Sequence, residues 1–215
     1  MENKEEQINS LTDIRTMMEN SSRFTALSGL SGISAGIIAI IGCIIVSISL
    51  NIGIIEQAHG IMNYINSPLM ASDKGTLQFL ILIALVVFTL AAISAIYFAG
   101  SKAKSKDIKL MVSSGKKFIF TLSFFLLTGA LFASILIFYG IYFLIVPALL
   151  IFYGLGIISV SKVSFNIIRN LGLIEIALGF ILAFIPVYAL LFFMLGFGVM
   201  HIIYGLIVYV NYDKN

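Results

Sequence analysis

Glu175, His201 and Tyr204 are the residues of this chain best suited to chemistry, because they interrupt two stretches, 167–185 and 188–210, that are otherwise almost wholly apolar. A carboxyl and an imidazole can pass a proton or hold a cation, and a phenol can hydrogen-bond to either. Counted at about 1.5 Å per helical residue from the charged ends of the two stretches, Glu175 and Tyr204 fall at similar depth and His201 about one turn deeper. His201 and Tyr204 are three residues apart and share a helix face. The spacing therefore predicts one buried polar cluster between the last two helices. An ionisable group at mid-bilayer costs ~3 kcal/mol on insertion scales, so such groups face the bundle interior and find partners. Two uses are open: a network that pins helices together, and a proton- or cation-binding site in a cavity.

The elements that must position these residues follow from where charge is missing. Hydrophobic residues make up 60% of the 215-residue chain and charged residues only 11%, with a mean hydropathy of +1.09, so water could not cover the apolar surface. A membrane crossing needs roughly 20 apolar residues whose backbone groups are satisfied within the segment, which makes helices the expected form. A membrane β-barrel would instead show alternating segments of ~10 residues, whereas these runs are continuous. The prediction is an all-α polytopic membrane protein with six spans, 24–50, 77–100, 118–139, 142–160, 167–185 and 188–210, arranged as three hairpins. The first span is expected to remain in the mature protein, because some twenty largely polar residues precede it and its apolar part is too long for a cleaved signal. Cys43 is the single cysteine, which leaves no intrachain disulfide and no cysteine-based metal cluster.

Lys and Arg are distributed asymmetrically. Lys4, Arg15 and Arg23 lie in the N-terminal tail, Lys102, Lys104, Lys106, Lys109, Lys116 and Lys117 between spans two and three, Lys162 and Arg169 between spans four and five, and Lys214 at the end, against Lys74 alone in the opposite loops. Positive charge beside a span is kept on the cytoplasmic side, so both termini are expected in the cytoplasm and the 51–76 loop outside. The basic loop 101–117 serves as a topology determinant that also meets anionic headgroups, with docking of a cytoplasmic protein as its sharper use. It has no interleaved aromatics to stack on bases, so nucleic acid is not an expected partner despite the net charge of +3.

The domain plan is a cytoplasmic segment 1–23 followed by a transmembrane domain 24–212. In the tail, Ile8, Leu11, Ile14 and Met18 recur at helical spacing, giving an amphipathic juxtamembrane helix. Its five acids against three bases disfavour adsorption on an acidic leaflet, so its stripe is expected against the protein's own inner face or a partner. For the protein as a whole the expected partners are the lipid bilayer and a cytoplasmic protein or a homo-oligomer. The outer loop, with Ile54, Ile55, Ile61, Tyr64 and Leu69, is too apolar for a solvated linker and is expected along the membrane interface. Ser28, Gly32 and Gly36 form a small-residue stripe suited to close helix packing. Tyr153-Gly154-Leu155 recurs as Tyr204-Gly205-Leu206, and Gly129 with Ala133 recurs as Gly179 with Ala183, a soft sign of a duplicated pair of helices.

No cofactor is expected. His59 falls in the outer loop, too far to share a haem with His201, and His201 with Met194 or Met200 lacks enough convergent ligands for a metal. There is no His-Glu-x-x-His, no paired intramembrane aspartate and no Gly-x-Ser-x-Gly, so an enzyme ranks third among the functional classes. First stands a carrier or channel subunit for a small solute or ion, proton-linked through Glu175 and His201. Second stands a non-transporting sensor or accessory protein that engages a cytoplasmic partner.

Across Leu27-Ser28-Gly29-Leu30-Ser31-Gly32, Ile151-Phe152-Tyr153-Gly154 and the run from Gly196-Phe197-Gly198 to Tyr204-Gly205, the chain resembles an uncharacterised family of small six-helix bacterial inner-membrane proteins. The resemblance implies a multi-pass protein of a bacterial inner (plasma) membrane. It supplies no activity and no site residues.

The charge asymmetry yields a direct test. Cysteines placed at Ser67 and at Ser105 in a Cys43→Ala background are expected to react with an impermeant thiol reagent from outside and from inside, respectively; labelling of the Ser105 position from outside in intact cells would invert or break the six-span scheme.

Overall fold

A computed structural model describes residues 28–51, 74–105, 113–162 and 166–214. Every regular element among them is helical: α1 (Gly29–Ser49), α2 (Lys74–Ser105), α3 (Ser113–Phe138), α4 (Ile145–Ser161), α5 (Asn166–Phe184) and a compound sixth helix, α6, over 189–213. Among the described residues six helices are long and apolar enough to cross a membrane, and with no strand among those residues they make this a helical, multi-pass membrane protein. The tail stripe, most of the 51–76 loop, Lys106 and Lys109 lie outside the described residues, and with them the docking surfaces expected there.

Helix ends are set by local chemistry. The Ser28 hydroxyl accepts the Leu30 N–H at 3.3 Å and starts α1. Asn51, at φ 51°, ends it in the left-handed conformation that Asn tolerates. α2 and α3 run further into the basic loop than hydropathy marks. Lys102 and Lys104 occupy the last turn of α2, where cations meet the negative end of the helix dipole, and Lys116 and Lys117 lie in the first turns of α3. At the opposite end, Gly140 takes φ 72°, a conformation that favours glycine, and lets the chain reverse from α3 toward α4 within a few residues. Hydroxyls in lipid-facing stretches are satisfied within their own helices, Thr89, Thr128 and Ser159 donating to the carbonyls of Leu85, Phe124 and Leu155.

The helices pack as a series of neighbours. α1 lies between α2 and α6, α4 lies between α3 and α5, and α5 joins α6. Lipid tails are as apolar as leucine, so association must come from close packing rather than from burial away from water. Glycines supply it. A Cβ on Gly32 would meet the Gly205 Cα and the His201 carbonyl at 3.1 Å, and one on Gly36 would meet the Ile202 Cγ1 at 2.7 Å. Gly154 and Gly172 face one another across α4 and α5, each lying against the other's carbonyl. Between α1 and α2, Ser34 donates to Ser94 at 3.1 Å. The core gathers Ile157, Ile168, Leu171, Tyr204 and Val208 from α4, α5 and α6.

Glycine packing makes Gly36 intolerant of size. Gly36→Leu is expected to cost about 1–3 kcal/mol or more, the range for overpacking, because the contact is partly with backbone that cannot step aside. Leu30→Ala trims a side chain that is 39% exposed and is expected to cost far less. Equal thermal stabilities of the two variants in detergent would contradict the packing.

Candidate functional site

Midway along α5, about 14 Å from its first residue, the Glu175 side chain is wholly buried. Two glycines make room for it. Gly154 of α4 is so close that a Cβ there would touch the Glu175 Cβ at 3.1 Å, and on Gly196 of α6 one would meet Oε2 at 2.5 Å and the Leu150 Cδ2 at 2.7 Å. The carboxyl is thus clasped between backbone and leucine.

Gly196 belongs to a π-helical stretch, Met194–Met200, that interrupts α6 immediately before His201. Such insertions shift the faces of a helix and are frequent at functional sites. Here the Gly-Phe-Gly run uses three directions: Gly196 faces Glu175, Gly198 faces Ile40 of α1, and the Phe197 ring packs on Tyr153 and Phe193 with centroids 5.2 and 4.8 Å away.

His201 connects the parts. Its Nδ1 lies 3.0 Å from the Gly196 carbonyl and 3.5 Å from the Glu175 Oε1, and its Nε2 lies 2.6 Å from the Tyr153 hydroxyl. A carbonyl can only accept, so Nδ1 carries the ring proton toward Gly196. Nε2 then accepts from the Tyr153 O–H, leaving a neutral imidazole held at both nitrogens. Among the described residues, neither Glu175 oxygen has a hydrogen-bond partner. Burying an ionised carboxylate without a donor costs several kcal/mol, a cost that a proton or a cation on the carboxyl would remove.

Of the three residues predicted to cluster, Glu175 and His201 are brought together by the fold. Tyr204 sits in the apolar core with Ile157, Ile168, Leu171 and Val208. The phenol on the imidazole is Tyr153, which the sequence places in a repeated tripeptide and in the family resemblance but not in the predicted cluster. Depth could have found it: Tyr153 lies eight residues before the end of α4, about 12 Å in, level with Glu175. No group of three or more His, Cys, Asp or Glu side chains is placed to hold a metal among the described residues. Gly32 and Gly36 lie in the α1–α6 contact.

Ser28 has a second task. Asp213, at the end of α6, accepts the Ser28 hydroxyl at 3.0 Å and the Gly29 N–H at 2.7 Å on Oδ2, while Oδ1 lies 2.7 Å from the Lys102 Nζ. The start of α1 and the ends of α2 and α6 are thereby tied at one end of the bundle. The described residues of this end also include Lys104, Lys116, Lys117, Lys162 and Arg169.

No protein-family model, curated protein or solved structure matches this chain.

The geometry ranks the pair energies. In double-mutant cycles read by unfolding in detergent, Tyr153→Phe with His201→Asn is expected to show a coupling of about 1 kcal/mol, typical of a buried hydrogen bond. Glu175→Gln with His201→Asn should couple less, since the Nδ1–H points to Gly196. A larger coupling for the Glu175 pair would show that the imidazole proton is aimed at the carboxyl.

Proposed function

We propose that this chain is a membrane carrier or channel subunit for a small solute or ion, proton-linked, with Glu175 and His201 in its pathway. The observation that carries the reading is Glu175 itself, a wholly buried carboxyl between apolar helices whose two oxygens have no hydrogen-bond partner among the described residues. A purely structural carboxyl at such cost would be expected to accept donors from a neighbouring helix, as Asp213 does at the bundle end. The adjoining imidazole, held at its two nitrogens by Tyr153 and the Gly196 carbonyl, gives the carboxyl a neighbour able to donate without itself moving far.

On this reading the six spans form three hairpins in a bacterial inner membrane, of the kind implied by the resemblance to small six-helix proteins, with both termini in the cytoplasm. The concentration of Lys and Arg in the 101–117 and 162–169 connections, with Lys102 on Asp213, against Lys74 alone in the opposite loops supports that orientation.

Reconstitution tests it. In liposomes with an imposed pH gradient and a trapped pH-sensitive dye, the wild-type protein is expected to dissipate the gradient faster than empty vesicles, and Glu175→Gln, which keeps shape and loses the exchangeable proton, is expected to return the rate to the empty-vesicle value while remaining folded. A folded Glu175→Gln variant with undiminished flux would remove Glu175 from the pathway.

A further inference from the structure

The arrangement around Glu175 favours one ligand over others and provides a way to register its arrival. We propose that the site binds a single proton rather than a metal cation, and that the His201 imidazole reports it by moving its Nδ1–H between the Gly196 carbonyl and the Glu175 carboxylate. This rests on the transport reading for its use, but not for its existence.

Three observations carry it. The donor set is too poor for a cation: hard cations ask for about six oxygen ligands, whereas here one carboxyl meets an imidazole nitrogen. The space is too small as well. A single methyl on Gly196 would already overlap Oε2 and Leu150, so an ion with even part of its water shell has no room on that side. Lastly, Nδ1 has two acceptors within reach, Gly196 at 3.0 Å and Oε1 at 3.5 Å, so a small tilt of the ring exchanges one for the other. α4 and α6 pack on α5, and among the titratable groups they bring to this region are Tyr153 of α4 and His201 and Tyr204 of α6, with His201 nearest the carboxyl.

In the described state the carboxyl holds its proton and needs no donor from the protein, while Nδ1–H donates to Gly196. When the proton passes to a water molecule admitted to the carboxyl as the helices breathe, the O–H bond breaks with its electron pair kept on the carboxylate. Nδ1–H then leaves the Gly196 carbonyl and donates to Oε1, and Nε2 continues to accept from Tyr153. No covalent bond of the imidazole changes. The carbonyl released is that of Gly196, inside the π-helical stretch Met194–Met200, so proton loss is delivered to a part of α6 where the α-helical hydrogen-bond pattern is interrupted. The phenol of Tyr153 is a positioning group that keeps the ring in the one tautomer able to make the exchange.

Infrared difference spectroscopy and nitrogen NMR on the protein in liposomes test this together. As pH is raised at fixed sodium, a protonated-carboxyl stretch is expected to vanish, and to be missing altogether in Glu175→Gln. With His59→Gln leaving His201 as the one histidine, its Nδ1–H signal is expected to shift downfield over the same pH range, and Tyr153→Phe is expected to blunt that shift. If Glu175→Gln does not fold, Glu175→Asp provides the assignment by displacing the band. A band that responds to sodium or potassium at constant pH would overturn the choice of proton. Loss of the band with no change at His201 would overturn the exchange, and no titrating band at all would overturn both. An intact spectroscopic switch in a protein that moves no protons across liposomes would instead sink the transport reading and leave the proton site standing.

Discussion

The close approach of helix backbones in a solvent that gives no reward for hiding apolar side chains is the constraint on which the rest depends. In hydrocarbon, leucine packed on leucine gains little over leucine in lipid, so helices associate where their surfaces fit and where backbones can come near. Gly32 and Gly36 against Gly205, Gly198 and Ile202 bring α1 onto α6, and Gly154 against Gly172 brings α4 onto α5. The same device makes the polar site. Were Gly154 or Gly196 any other residue, the space filled by the Glu175 side chain would be taken.

Close packing and polar chemistry are joined in α6. An uninterrupted α-helix holds its residues near 100° apart, so Gly196, Phe197 and Gly198 would spread over a little more than half the helix circumference. The π-helical stretch Met194–Met200 changes that rotation just before His201, and it is there that one glycine faces α5, the next faces α1 and the phenylalanine between them stacks on Tyr153. The aromatic series Phe193, Phe197, Tyr153 then walls the imidazole on one side. Sequence periodicity assumes a uniform 3.6-residue turn and is blind to such an insertion.

That limit explains what could be read in the sequence and what could not. The absence of charge located all six apolar helices, because the cost of charge in hydrocarbon is larger than any local propensity. The helix ends beyond the apolar runs were less legible: Lys102, Lys104, Lys116 and Lys117 are helical, since hydropathy marks the membrane boundary and the helix continues into the interface, where Lys and Ser are adequate helix formers. Glu175 and His201 stood out as ionisable residues in apolar runs and share one site. The choice of phenol was harder. Tyr204 has the right spacing along its own helix, but which tyrosine reaches the imidazole depends on the neighbouring helix, and Tyr153 comes from α4. The repeated Tyr-Gly-Leu tripeptides also part company in the fold, since Gly154 packs on α5 and Gly205 on α1.

The contrast between two acids argues most clearly for a division of labour. Asp213 lies at the bundle end, where it could have been solvated, yet it is nine-tenths buried and its oxygens meet a hydroxyl, a backbone N–H at a helix start and a lysine ammonium. Each of those contacts brings a donor to Asp213: the N–H and the ammonium supply positive charge, and the start of α1 adds its dipole. Glu175 lies in the middle of the bundle, where a permanent carboxylate would need such partners most, and among the described residues it has none. A fold that can surround one acid with three donors has not done so for the other. The difference separates an acid that ties three helix ends from one left without donors at the point where glycines bring the helix backbones together.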